Sequence, residues 1–194
     1  MPRLIDHAQR ERDIGDAAWR VLTRDGLAAL SVRRVAEEAG IATASLRRAF
    51  PTQEALRRFC LDRIRSDAGA RIRALTGEGT GLALAMLTEL LPLDTTRRTE
   101  LIVQLQFGSL ALTDPSLTQH VTQLHRAVRS LCQRVLTELD RTSPLPADMD
   151  LDVEAERLHG LLDGLAIHAL WASTPDAGDR AVAILTHHLT TLTR

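Results

Sequence analysis

The spacing of apolar residues is the feature that most restricts the fold of this chain. Apolar residues recur three and four positions apart in nearly every segment, and no segment shows sustained alternation of apolar and polar residues. This period is typical of an amphipathic helix, whereas alternation is typical of a half-buried strand. The sequence therefore predicts an all-α fold. One stripe runs through Leu117, Val121, Leu124, Val128, Leu131 and Val135.

Capping residues, glycines and prolines divide this pattern into separate helices. Ser31 is a predicted N-cap, Gly26 and Gly40 are predicted helix ends, and Pro51 separates two helices. The first predicted helix has its apolar face between Ile14 and Leu22. The later predicted helices cover about 32–39, 43–50, 53–75, 81–91, 96–113, 115–141, 151–172 and 177–193.

The six residues Thr76–Gly81, of which three are glycines, separate two parts of opposite charge. Residues 1–75 contain 15 Arg and 10 acidic residues, whereas residues 76–194 contain 9 Arg and 15 acidic residues. The near-zero net charge of the whole chain thus conceals a basic first part, which suits a nucleic-acid partner. The sequence predicts a first domain at 1–52, a connecting helix at 53–75 and a second domain at 76–194.

The sequence excludes several functional classes. The two cysteines, Cys60 and Cys132, have no metal-ligand spacing, so we expect two reduced core residues. No apolar run has the length of a signal peptide or a membrane span, and we expect a soluble, cytoplasmic protein that does not contact a membrane. Glu156 and His159 form a single Glu-x-x-His pair, whereas a di-iron bundle needs two. The sequence predicts no catalytic site, no cofactor and no metal site.

Residues 14–50 have the layout of a helix-turn-helix. Two short predicted helices are joined by a tight turn at Gly40, and apolar residues such as Val35 and Leu46 supply the packing surface. A helix of about seven residues is roughly 10 Å long, short enough to enter a major groove ~12 Å wide. We therefore expect the second helix of this pair to contact double-stranded DNA.

The residues Ala36–Leu56, AEEAGIATASLRRAFPTQEAL, resemble the signature of TetR-family transcriptional regulators. Residues 17–22 resemble the first helix of that family, and residues 114–117 and 162–166 more weakly resemble its BetI-like subgroup. The resemblance implies an N-terminal three-helix helix-turn-helix DNA-binding domain. It also implies a C-terminal helical domain that binds a small-molecule effector and dimerises.

The same resemblance implies a set of DNA contacts, in which the recognition helix and the starts of two neighbouring helices face the duplex. These residues are Ser31, Thr43, Ala44, Ser45, Arg47, Arg48 and Gln53. Three positions depart from the family pattern, which usually has Ser at Ala42, Tyr at Arg47 and Lys at Gln53. We expect binding to persist with an altered base preference, and Arg47 has either a base or a phosphate as its partner.

The arginine pairs have a second interpretation, because adjacent arginines are also typical of solvated helix faces. The position of Arg47 and Arg48 in the helix-turn-helix favours DNA contact. For Arg57 and Arg58 both interpretations stay open, and the same holds for Arg33 and Arg34 taken alone.

The second domain is expected to bind an effector whose identity the sequence does not reveal. Effector pockets are largely apolar with a few polar groups, and the candidate contacts are Gln104, Phe107, His168 and Trp171. The resemblance places the dimer contact in the last two helices, 151–172 and 177–193, where Gly160 and Gly164 would allow close approach of a partner helix.

The predicted function is therefore a dimeric repressor that binds a near-palindromic operator and is released by its effector. The alternative is a constitutive helix-turn-helix regulator, or a helical interaction module without an effector.

Overall fold

The computed structural model describes residues 7–172 and 174–193, and every regular element within these ranges is helical. The all-α prediction is confirmed. Two short 3-10 turns lie at Leu27–Ala29 and Pro115–Leu117. The helices are α1 His7–Asp25, α2 Val32–Glu38, α3 Thr43–Ala49, α4 Gln53–Ala74, α5 Gly79–Thr88, α6 Thr95–Ala111, α7 Thr118–Thr142, α8 Leu151–Trp171 and α9 Ala177–Leu192.

Two helices begin three or more residues away from the starts that the sequence indicated. α1 begins seven residues before Ile14, in a polar stretch whose side chains bond to each other: Gln9 donates to Asp13 at 2.8 Å and Arg12 donates to Gln9 at 2.7 Å. A polar helical turn of this kind leaves no apolar period to detect. α7 begins at Thr118 and not at residue 115, because the Asp114 carboxylate accepts the Ser116 N–H at 3.1 Å and closes a separate turn.

The contacts between residues divide the chain into two compact units. Unit 1 comprises Met1–Ser66 and Val103–Val121, and unit 2 comprises Asp67–Ile102 and Thr122–Arg194. α4, α6 and α7 each contribute residues to both units. The domains expected at 1–52, 53–75 and 76–194 remain a prediction.

The core of unit 1 forms on the apolar face of α1. Its buried members come from α1 to α4, the end of α6 and the turn before α7. Gly26 and Gly40, with φ of 77° and 65°, provide the left-handed conformations that follow α1 and α2. The largest fully buried side chains are Leu30, Leu46, Leu56, Ile64, Phe107 and Leu117.

The core of unit 2 is built from α5, α7, α8 and α9, with α4 and α6 packed against it. Its fully buried members include Leu87, Leu136, Leu158 and Leu185. Cys132 lies in this core and Cys60 lies in the core of unit 1, and both are free and buried as expected. None of the described helices combines the length and the apolar character that a membrane crossing requires.

Candidate nucleic-acid interface

The turn between α2 and α3 holds the two helices in a helix-turn-helix arrangement. The Ile41 N–H donates to the Ala36 carbonyl at 3.0 Å, and the Gly40 N–H donates to the Glu37 carbonyl at 3.2 Å. Leu46 of α3 and Val35 of α2 are completely buried in the same core. α3 is therefore held by its apolar residue on one side, which leaves its other side to solvent.

The two arginines of α3 are exposed cations without a carboxylate partner among the described residues. Arg47 and Arg48 are exposed, and neither guanidinium forms an ion pair or hydrogen bond with another described residue. Since a helix has 3.6 residues per turn, Ala44 and Arg48 lie on the face opposite Leu46, and Arg47 lies to one side of it. The charge of α3 is thus not neutralised by a neighbouring carboxylate.

By contrast, Arg20 and Arg24 of α1 and Arg34 of α2 are neutralised by neighbouring carboxylates. Arg20 and Arg24 contact the two oxygens of the Glu38 carboxylate at 2.7 and 3.0 Å. Arg24 and Arg34 each contact Asp25 at 3.0 Å. These arginines hold the pKa of the Asp25 and Glu38 carboxyls below the usual values, chiefly through hydrogen bonds from Arg24 and Arg20 respectively. The network joins α1 to α2.

The two flanking residues expected at phosphates lie close together. The Ser31 hydroxyl accepts the Arg34 N–H at 3.2 Å and caps α2. The Gln53 side-chain amide donates to the carbonyl of Leu30, the residue before Ser31. At the position where the TetR pattern usually has Lys, this chain therefore uses an amide to hold the loop before α2. The sequence contained no signal for this bond, because its partner is a backbone carbonyl far away in the chain.

The start of α3 contains another departure from the family pattern, Ala42. Ala42 occupies the N-cap position with extended backbone, φ −63° and ψ 132°, and provides no side-chain cap. Thr43 and Ser45 are half-buried and Ala44 is exposed. The structure therefore brings five of the predicted contacts together on α3, namely Thr43, Ala44, Ser45, Arg47 and Arg48.

The four candidate effector contacts are divided between the units. Phe107 is 1% exposed and packs in the core of unit 1. Gln104, which is half-buried, also belongs to unit 1. His168 and Trp171 lie near the end of α8 in unit 2, and both are exposed, Trp171 at 73%. Neither unit by itself contains all four.

One contact of α6 could not be predicted from the sequence. The Gln106 side-chain oxygen accepts the N–H of Leu27, which follows α1, at 3.2 Å. Both residues belong to unit 1, where Val103 and Phe107 of α6 also join the core. The end of α6 is thus part of the same packed body as the helix-turn-helix.

Known proteins resemble the chain over nearly all of its length. Residues 14–58 match the model for bacterial regulatory proteins of the tetR family, and residues 80–194 match that for the C-terminal part of BetI-type transcriptional repressors. The HTH-type transcriptional regulator PksA of Bacillus subtilis (strain 168) is 30% identical over 192 residues, which cover 97% of this chain and 92% of PksA.

Solved structures resemble it in fold as well. A transcriptional regulator from Rhodococcus sp. Rha1 has a TM-score of 0.76 at 25% identity, covering 93% of this chain and 96% of that one. The multidrug binding protein EbrR, crystallised with imidazole, has a TM-score of 0.66 at 28% identity, covering 96% and 93%. The families and relatives that match are transcriptional regulators and not enzymes, in agreement with the prediction from sequence. The chain belongs to the TetR family of transcriptional regulators, with a C-terminal part of the BetI type.

Proposed function

We propose that the chain is a homodimeric repressor that binds a near-palindromic operator through α3 and is released by a small-molecule effector. The observation that carries this proposal is the pair Arg47 and Arg48. Both are exposed and without a carboxylate partner in the described chain, on a helix held from behind by buried Leu46. A regulator of this kind acts where the DNA is, in the cytoplasm.

The geometry of α3 favours different partners for its two arginines. Arg48, opposite Leu46, suits a bidentate contact with guanine in the major groove, and Ala44 on the same face suits a thymine methyl group. Arg47 is displaced toward the side of the helix and suits a phosphate. Ser31 and Gln53 flank the helix-turn-helix, where hydroxyl and amide groups position the protein on the DNA backbone.

The exposed faces of α8 and α9 support dimerisation through 151–172 and 177–193. Val153 and Ile184 are exposed apolar side chains on these helices. A Cβ atom placed on Gly160 or Gly164 would meet no atom within 4 Å, so that face of α8 has room for a closely packed helix. A helix-turn-helix dimer reads successive major grooves when its recognition helices are about 34–36 Å apart.

Release by an effector is supported by the relative EbrR, which was crystallised with imidazole. Within unit 2, the exposed His168 and Trp171 remain our candidate contacts, and Gln104 and Phe107 of unit 1 remain a prediction from the sequence. α4 contributes to both units, so an effector that moves α4 would alter the spacing of the α3 helices in the dimer. A hundredfold loss of DNA affinity requires the effector to favour the non-binding state by about 2.8 kcal/mol.

The DNA-binding proposal is tested by selection of random duplexes with the purified full-length chain. We expect enrichment of a near-palindrome, bound by two chains, with an affinity that falls steeply as salt rises because phosphate contacts release counterions. The double variant Arg47→Ala, Arg48→Ala should enrich nothing. If the wild-type chain also enriched no sequence, the interaction-module alternative would replace this proposal.

The effector proposal has a separate test. Small molecules that raise the thermal midpoint of the chain are selected from a metabolite panel, and each is then added to the operator complex. A compound that stabilises the chain and releases the operator supports the proposal. Selective operator binding that no stabilising compound weakens would support the constitutive alternative.

A further inference from the structure

Two histidines and a glutamate converge between α7 and α8, within unit 2. His125 of α7 and Glu156 and His159 of α8 each have one potential ligand atom within 4.8 Å of those of the other two. The ring centroids of His125 and His159 are 4.5 Å apart, with the planes tilted by 39°. His159 is 3% exposed, whereas His125 and Glu156 are exposed. The cluster is therefore anchored by a buried imidazole and open to solvent on its other side.

The spacing along α8 adds a fourth group. Glu156, His159 and Asp163 lie on one face, because they are separated by three and four residues. An Oδ2 atom of Asp163 lies 3.4 Å from Nε2 of His159. Histidines that bind metals commonly direct their second ring nitrogen at a carboxylate, which orients the ring. With Nε2 facing Asp163, Nδ1 of His159 would be the ligand atom, and Asp163 would act as such a carboxylate.

Arg129 is the cation that now pairs with Glu156. It donates through Nε to Oε1 of Glu156 and contacts Asp152 through Nη2 at 3.2 Å. Oε2 of Glu156 has no partner among the described residues. Since Arg129 would keep Asp152, Glu156 can turn toward a metal ion without leaving the guanidinium unpaired.

We propose that His125, Glu156 and His159 bind one divalent transition-metal ion, for which Zn²⁺ is the best match, and that Asp163 is a positioning residue. Two imidazoles and one carboxylate form a common three-ligand zinc set that leaves one position open. Mg²⁺ and Ca²⁺ prefer oxygen ligands only. With bonds of about 2.0–2.1 Å, tetrahedral ligand atoms are about 3.4 Å apart. Rotation of the exposed His125 and Glu156 side chains closes the remaining distance.

From the sequence alone we expected no metal site, because Glu156 and His159 lack a second Glu-x-x-His pair. The packing of α7 on α8 provides the third ligand from a different helix. The site lies entirely within unit 2 and uses no residue of α3, so it stands independently of operator binding.

The test is a calorimetric titration of the untagged, EDTA-stripped and dialysed full-length chain with ZnCl₂, without DNA. We expect one ion per chain and a rise in thermal midpoint on binding. His125→Ala, at an exposed position that leaves the fold intact, should reduce the affinity by more than about 100-fold. His187→Ala, which removes an exposed histidine from α9, should leave the affinity unchanged.

The role of Asp163 has its own readout. Asp163→Asn should reduce the zinc affinity about tenfold while leaving the thermal midpoint of the metal-free chain unchanged. A fall in that midpoint with unchanged zinc affinity would assign Asp163 a structural role instead. The site is refuted if the wild-type chain binds Zn²⁺ no more tightly than His125→Ala, or if His187→Ala loses as much affinity.

Discussion

Arg48 of unit 1 and Arg71 of unit 2 carry the same charge in opposite surroundings. Arg48 is exposed on α3 and has no carboxylate partner in the described chain. Arg71 contacts both oxygens of Glu100 at 2.9 and 2.7 Å and an oxygen of Glu89 at 2.8 Å, and Glu100 is 5% exposed. An arginine enclosed by carboxylates stabilises the fold, whereas one without an internal partner can bind an external anion. The comparison therefore separates structural arginines from those available to DNA.

The largest effect is expected for Arg71→Ala. This change removes the cation shared by Glu89 and Glu100 and leaves the buried Glu100 carboxylate without that partner. We expect the free energy of unfolding to fall by about 3 kcal/mol, measured by urea denaturation. Arg65→Ala is the control: Arg65 forms an exposed pair with Asp62 at 3.1 Å and should cost less than about 1 kcal/mol. Equal losses for the two variants would contradict the structural role of Arg71.

The opposite pattern is expected for Arg48→Ala, which should weaken operator binding while leaving stability unchanged. A bidentate contact with a base contributes roughly 10- to 100-fold to affinity, and Arg47→Ala should cost a similar or smaller factor. Arg33 is a matched control on α2, since its guanidinium pairs with Glu37 at 3.0 Å. We expect Arg33→Ala to change the affinity only a few-fold in a gel-shift titration. If all three variants lost the same affinity, pairing with a carboxylate would not distinguish DNA-binding arginines.

A smaller effect tests how firmly α3 is held. Ala42 is in the N-cap position without a capping side chain, so Ala42→Ser should raise the free energy of unfolding by about 1 kcal/mol. Ser31→Ala should lower it by a similar amount, because the Ser31 hydroxyl caps α2. Chemical denaturation measures both changes. The same sign for both variants would show that the caps do not set the stability of this pair of helices.

The smallest effect is expected for the reactivity of the two cysteines, one in the core of each unit. Burial raises the pKa of Cys60 and Cys132 from 9.0 to about 12, and the Asp163 and Glu156 carboxylates contribute at Cys132. Both thiols therefore stay protonated in the native chain at pH 8, and we expect slow labelling by iodoacetamide, followed by mass spectrometry. Because the unfolded thiols ionise near pH 9, stability should decline above that pH.

The two labelling rates report the opening of each unit separately. Full labelling after denaturation is the control. A native thiol that reacts as fast as a free cysteine would show that its core opens readily.

Much of the fold could be predicted because its determinants are local. Ser31 and Gly40 mark the start and end of α2, and the predicted bounds of α2 and α3 agree with the structure to within one residue at each end. Periodicity and capping involve residues at most a few positions apart, so the printed sequence already contains them. The polar first turns of α1 were not predicted, because they have no apolar period.

The arrangement of the site could not be predicted from the sequence, because it depends on the tertiary structure. Arg33-Arg34 and Arg47-Arg48 are the same dipeptide in the sequence, and only the fold shows that Asp25 reaches Arg34 while no described carboxylate reaches α3. The bond from Gln53 to Leu30 joins residues far apart in the chain in the same way.

The helices, the helix-turn-helix and the two oppositely charged parts could thus be predicted from the amino-acid sequence, because they follow from local patterns and composition. Which arginines are neutralised and which histidines converge depends on the packing of the helices. The partners of a charged or ligating side chain lie on other helices, and their distances exist only once those helices have packed.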